Sequence, residues 1–298
     1  MEKVRIGVIG CGGIANGKHM PAEKKNPNAE MVAFCDIIEE RAIKANKEYG
    51  NETSKVYTDY KELLKDKSID AVLVLTHNSE HCRITVDALN AGKHVLCEKP
   101  MAMNYEEAKK MIEARDKSGK ILTIGYQNRR NPEAIAMKRA AQEGTFGEEA
   151  MYLKDLADQD YFGEIYYAEA IAIRRRAVPT WGVFIDEKKQ GGGPLIDIGT
   201  HALDLTLFAM NNYEPAYCVG KTYHKLNKQT GTGNAWGDWD TEKFTAEDSA
   251  FGFVVMKNGA TINLRSSWAL NYANPLEAAT TVCGDKAGAE LTWDRLRV

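Results

Sequence analysis

The first 126 residues alternate between two hydrophobic patterns. Short, largely apolar runs occur at Lys3-Val-Arg-Ile-Gly-Val-Ile9, Met31-Val-Ala-Phe-Cys-Asp36, Lys55-Val-Tyr57, Ile69-Asp-Ala-Val-Leu-Val-Leu75, Val95-Leu96-Cys97 and Lys120-Ile-Leu-Thr-Ile-Gly-Tyr126. A strand buried on both faces needs such a run, whereas a helix lying on a sheet is apolar only every three or four residues. The second pattern fills the intervals and predicts helices over Ile38–Tyr49, from an Asp59 cap through Leu64, over Ser79–Asn90 closed by Gly92, and over Tyr105–Ser118. Strands alternating with helices make a parallel, doubly wound α/β sheet, a Rossmann domain spanning 1–126.

Beyond Gln127 the alternation stops. A helix is expected over Arg129–Gly144, followed by a long alternating strand over Gly163–Ile173. Further strands are read at Ala216–Gly220, Ala250–Met256 and Ala260–Ser266, the last two flanking the hairpin signal Lys257-Asn-Gly259. Pro194, after three glycines, opens a helix. Residues 127–298 are therefore expected to form an α+β domain with a largely antiparallel open sheet, one face covered by the Pro194 helix.

Composition narrows the class without choosing the chemistry. The 298 residues have room for two cores, and 44% hydrophobic with 27% charged residues suits a soluble globular protein. A formal charge of −3 carries no basic excess, which disfavours nucleic acid as a partner. No run approaches the roughly 20 apolar residues of a membrane span, and the chain enters its first strand without the apolar core of a signal peptide. The expected location is cytoplasmic. No two of the six cysteines are spaced C-x-x-C, which argues against a disulfide framework or a zinc site; Cys11, Cys35 and Cys97 fall at strand ends as small buried residues.

Gly10-Cys-Gly-Gly-Ile-Ala15 joins the first strand to a helix with the pattern G-x-G-x-x-A. Gly10 permits the tight turn, Gly12 lets backbone amides approach a pyrophosphate, Gly13 and Ile14 lead into the helix, and Ala15 lets it pack close. Asp36 ends the second strand about 20 residues later, where a carboxylate can accept from ribose hydroxyls and repel a 2′-phosphate. Arg41 lies within reach of such a phosphate, yet the acid favours NAD over NADP. Asp36 alone could equally cap a helix; glycines and acid together point to a dinucleotide. The crevice at the strand ends would be lined by Thr76, Asn78, His81, Glu98, Lys99, Tyr126 and Gln127.

The second half offers a different chemistry. A helix from Pro194 puts Asp197, His201 and Asp204 on one face, an acid and an imidazole one turn apart for proton transfer. A metal is the alternative, thinly supported without a third clustered donor, and none is expected. Arg174 and Arg176 share one side of their strand, either as a solvated edge or lining a polar pocket with Trp181. Trp236 and Trp239, in the loop Gly231–Asp240, either stack on sugar rings or pack over the sheet.

Together Gly10–Ala15, Gly92-Lys-His-Val-Leu-Cys-Glu-Lys-Pro100 and Gly191-Gly-Gly-Pro-Leu-Ile-Asp-Ile-Gly-Thr-His201 resemble the Gfo/Idh/MocA family of NAD(P)-dependent oxidoreductases, which includes glucose-fructose oxidoreductase and inositol dehydrogenases. The resemblance covers nearly the whole chain. It implies that Lys99 contacts substrate and nicotinamide, that Asp197 and His201 supply the acid and base, and that the antiparallel sheet mediates a homodimer or homotetramer. The implied reaction is oxidation of a secondary alcohol on a sugar, glycoside or polyol, with Tyr126, Arg174, Arg176 and Trp181 beside the substrate. One rival is an NAD-retaining glycosidase that oxidises, eliminates and re-reduces. A second is a non-enzymatic dinucleotide-binding regulator, which would have no need of Lys99 or His201. Two departures from the family pattern stand out, an insertion around 148–160 and a chain that stops at Val298, shorter than many members.

Overall fold

The computed structural model describes residues 2–127, 149–292 and 295–298; the helix expected over Arg129–Gly144 lies outside them. The chain divides into two compact units, Met1–Gly125 and Tyr126–Val298.

In the first unit, β1 (Val4–Ile9) leads through the glycine turn into a π turn at Ala15–His19, which continues as α1 (Met20–Lys24). Next come β2 (Ala29–Cys35), α2 (Glu39–Tyr49), β3 (Lys55–Tyr57), α3 (Tyr60–Lys65), β4 (Ala71–Val74), α4 (Asn78–Asn90), β5 (His94–Cys97), α5 (Tyr105–Ser118) and β6 (Leu122–Ile124). The six strands are parallel in the order β3-β2-β1-β4-β5-β6. The winding reverses between β1 and β4, which is where such sheets open a crevice at their carboxyl ends. Alternate strand residues feed two cores. Ile6, Val8 and Leu73 pack with Met20 and Ala42 on one face, while Ile9, Val72 and Val74 pack with Leu63, Leu89 and Met111 on the other. Local signals set the helix ends: Asp59 Oδ1 accepts from Lys61 N at 2.9 Å, Asn104 Oδ1 from Glu107 N at 2.9 Å, and α5 stops where Gly119 turns left-handed at φ +66°.

The second unit contains α6 (Glu149–Asp158), β7 (Ile165–Ile173), α7 (Glu187–Gln190), a π turn at Leu195–Gly199 that continues as α8 (Thr200–Met210), β8 (Pro215–Tyr223), β9 (Ser249–Met256), β10 (Thr261–Ser267), β11 (Ala279–Gly284), β12 (Gly288–Leu291) and β13 (Leu296–Arg297). These strands form one sheet in the order β13-β12-β11-β7-β10-β9-β8, antiparallel except for the parallel pair β7 and β10. Ala168, Ala170 and Ala172 point inward from β7, and their small size brings α8 close enough for Ala202, Leu205 and Ala209 to pack there. The opposite face carries Tyr217, Val219 and Phe253, all exposed. Between β9 and β10, Gly259 at φ +92° donates to Met256 O at 2.9 Å, as the Asn-Gly turn predicts. Among the described residues no helix is long and apolar enough to cross a membrane.

Candidate functional site

Gly10 sits at φ +94°, and a Cβ placed there would meet Leu75 O at 2.6 Å, so the turn and the end of β4 touch only because this residue is glycine. Gly12 and Gly13 differ: a Cβ on either would meet nothing within 4 Å. They leave the surface clear at the start of a helix. Ile14 is exposed beside them, and Asn16 Nδ2 donates to the carbonyls of Cys11 and Gly12. Asp36 is buried; its Oδ2 accepts from Cys11 N and its Oδ1 from Ile38 N, both at 2.9 Å. It therefore closes the glycine turn onto the end of β2, and it does not cap α2, whose first turn starts two residues later at an uncapped Ile38. Burial, reinforced by the Asp36 charge, pushes the Cys11 and Cys35 thiols up to about 12, which keeps both protonated and inert.

Three loops meet at the ends of β4 and β5. His81 is fully buried, with Nδ1 2.8 Å from Pro100 O and Nε2 3.2 Å from Thr76 O. Burial lowers its pKa against the pull of those carbonyls; a neutral ring has one N–H to donate, and the shorter contact, to Pro100 O, holds the Lys99-Pro100 segment against α4. Glu98 is buried as well, its Oε1 2.6 Å from His19 Nε2 and its Oε2 accepting from Lys99 N at 2.9 Å. Desolvation would raise this carboxyl, but His19 and Lys99 outweigh it and hold it below the ordinary glutamate range. Lys99 is half-buried at the end of β5, Asn78 buried at the start of α4, and Thr76 half-buried between them. His19 escaped the sequence reading; the only signal was its place one turn after Ala15.

The second unit builds its candidate residues at the start of the Pro194 helix. A π turn occupies Leu195–Gly199 where a regular helix was expected, so Asp197 and His201 stand across a widened turn, a feature frequent at functional sites. Glu247 caps this start, accepting from Gly193 N at 2.6 Å and Leu195 N at 3.3 Å. A Cβ on Gly193 would lie 2.0 Å from Glu247 O, which gives the third glycine its reason. Burial raises the Glu247 carboxyl despite these donors. Asp197 is buried and accepts from Trp268 Nε1 at 2.9 Å. Tyr126 lies edge-on to His201 at 6.2 Å, and its hydroxyl bonds Thr200 Oγ1 at 2.7 Å. Asp204 is buried on α8, and Gln127 is exposed. Neither Glu247 nor Trp268 carried any sequence signal, because both reach the helix from far along the chain, Glu247 just before β9 and Trp268 just after β10.

β7 ends at Ile173, so the three arginines follow the strand rather than lie on it, Arg176 pairing only in a single bridge with Ala269; Arg174 and Arg176 are half-buried and Arg175 exposed. Arg174 is engaged by Glu277, with Nε to Oε2 at 2.7 Å, and Arg176 donates to Asn271 Oδ1 at 2.6 Å. Trp181 packs against Phe184 and Trp236. The two loop tryptophans divide: Trp239 is buried with its Nε1 bonded to Asn227 O at 2.9 Å, whereas Trp236 stays 43% exposed. Among the described residues no three His, Cys, Asp or Glu side chains cluster to hold a metal.

Two family models match this chain. Residues 4–126 fit an oxidoreductase family with an NAD-binding Rossmann fold, and residues 150–290 fit the GFO/IDH/MocA C-terminal domain. D-glucoside 3-dehydrogenase of Escherichia coli is 34% identical over 97% of this chain and 77% of its own length. The chain belongs to the Gfo/Idh/MocA oxidoreductase family. Inositol 2-dehydrogenase of Salmonella typhimurium is 34% identical over 50% of this chain and 44% of its own length. Among solved structures, the dehydrogenase WlbA of Bordetella pertussis, in complex with NADH and UDP-GlcNAcA, superposes with a TM-score of 0.77 at 22% identity, covering 100% of this chain and 77% of that one. The family's NAD-binding description fits the first unit: the surface kept clear by Gly12 and Gly13 at a helix start suits a pyrophosphate, and Asp36 stands at the end of the neighbouring strand.

Proposed function

We propose that this chain oxidises a secondary alcohol on a sugar, glycoside or polyol, with NAD as the hydride acceptor. The observation that carries the proposal is the buried Asp197, fixed by the Trp268 indole one widened turn before His201. A carboxylate so anchored orients an imidazole or a substrate hydroxyl without itself having to move. His201 takes the hydroxyl proton as the C–H bond breaks, and Lys99 donates to the same oxygen. Tyr126, held by Thr200, limits how the His201 ring can turn. Arg174, Arg176 and Trp181 sit beside the substrate. The glycine turn, Asp36, Thr76, Asn78 and Gln127 hold the dinucleotide; His81 and Glu98 act one step back, by fixing the segment that carries Lys99. The Asp36 carboxylate favours NAD over NADP. The relatives' names, a glucoside dehydrogenase and an inositol dehydrogenase, support the substrate class.

We also propose a cytoplasmic location, where a dehydrogenase can draw on a pool of the dinucleotide, and a homodimer or homotetramer joined through the open face of the second unit's sheet. The test of the activity is NADH formation from glucosides, monosaccharides and inositols. Lys99→Ala and His201→Ala should each lower kcat by roughly 100-fold or more. Normal turnover by either variant would overturn the roles assigned here. Release of nitrophenol from an aryl glucoside without accumulating NADH would replace the dehydrogenase with the redox-assisted glycosidase.

A further inference from the structure

The second unit keeps two large aromatic side chains at its surface although it buries others nearby. Trp181 is 52% exposed and Trp236 43%, with ring centroids 4.9 Å apart at 76°, while Trp239 and Trp268 lie inside. We propose that Trp181 and Trp236 form a subsite for a second pyranose ring, so that the substrate is a two-ring glycoside rather than a free polyol; this rests on the sugar-oxidising function proposed above. The indole faces carry the negative lobe of a quadrupole and suit the electropositive C–H face of a pyranose.

The pair is held in place before any ligand arrives. Asn234 uses its side-chain amide as a strand would, accepting from Val178 N at 2.8 Å and donating to Val178 O at 3.0 Å and Gly237 O at 2.8 Å. Thr180 Oγ1 donates to Trp236 O at 2.7 Å, and Ala235 N to Arg176 O at 3.0 Å. A loop backbone held in this way, with the indoles packed on each other, loses little freedom on binding. The rim is polar. The Arg174 guanidinium lies 5.3 Å from the Trp236 ring centroid and is forked onto Glu277, whose side chain is 44% exposed and has lone pairs left for hydroxyl groups. The hydroxyl groups of an uncharged ring can donate to that carboxylate. The platform also connects to the chemistry, because Trp181 packs on Phe184, Phe184 on Trp268, and Trp268 holds Asp197.

The experiment compares kcat/KM for cellobiose with that for methyl β-D-glucopyranoside, using NAD and the full chain. The wild type should favour the two-ring sugar by roughly tenfold, Trp236→Ala should bring the ratio close to one, and Trp236→Phe should recover most of it. A ratio unchanged by Trp236→Ala overturns the subsite, including when both rates fall together because the fold is damaged. A ratio that stays put while Trp236→Ala shifts the molecular mass in solution assigns the platform to contact between copies instead. Calorimetry with cellobiose separates the two proposals. Binding by the wild type that Trp236→Ala abolishes, without NADH formation from any sugar, keeps the subsite and overturns the dehydrogenase; absence of binding overturns the subsite.

Discussion

At the scale of single residues, the three glycines of the first turn are not equivalent. Gly10→Ala places a methyl group against Leu75 O on a backbone at φ +94° and should cost about 2–4 kcal/mol of stability, seen as a lower denaturation midpoint. Gly12→Val adds its side chain to open space, so the midpoint should hold while NAD affinity drops by roughly tenfold or more. Loss of stability in Gly12→Val, or a stable Gly10→Ala, would contradict the assignment. The motif's spacing was readable in the sequence because it reports backbone geometry, which depends on few neighbours. What Asp36 touches was not: its bond to Cys11 N joins residues 25 apart, and only the parallel pairing of β1 with β2 brings them together. Trp236 and Trp239 make the same point, since two tryptophans in one loop take opposite fates depending on which finds the core.

At the scale of elements, two buried glutamates sit at element ends with opposite electrostatics. Glu98 follows β5 and is held below its ordinary range, so its contribution to stability is complete above 4.5 and is lost as pH falls below that value. Glu247 caps the Pro194 helix and is raised by burial, so its contribution is present below 4.5 and is lost as pH rises through the raised value. Replacing Glu98 with Gln should therefore flatten the fall of thermal stability between about pH 5 and 3, while Glu247→Gln should flatten a decline above about pH 4.5. Melting curves collected across pH decide it; profiles parallel to the wild type for both variants would remove the role of either glutamate. Most strands and helices of the first unit were legible, because continuous apolar runs and Asp or Asn caps are local. The π turn at Leu195–Gly199 was not, since a widened turn leaves the apolar spacing of a short helix almost unchanged. Nor were β11, β12 and β13, whose threonines, glycines and alanines have little pattern of their own and become strands by pairing outward from β7.

For the whole molecule, the open face of the seven-stranded sheet dominates the surface of the second unit. Val219 is 70% exposed and pairs with Phe253, which is 48% exposed, on the side facing away from α8. An apolar patch on an edge strand invites a partner. If the proposed oligomer forms through this face, Val219→Lys together with Phe253→Lys should convert it to a monomer in light scattering without lowering the denaturation midpoint by more than a few degrees; an unchanged mass would overturn the assignment of an interface to this face. The same sheet bears on how the chain acquires its structure. Its central strand, β7, comes first among the strands, and its parallel neighbour β10 begins only roughly ninety residues later, with β11 later still. Until β10 and β11 are made, β7 has two unsatisfied edges and no hydrogen-bonding neighbour in the sheet. Newly made chains must therefore hold an aggregation-prone ribbon through most of the second unit's synthesis, whereas the first unit's strands, each a helix apart, can pair almost as soon as they emerge.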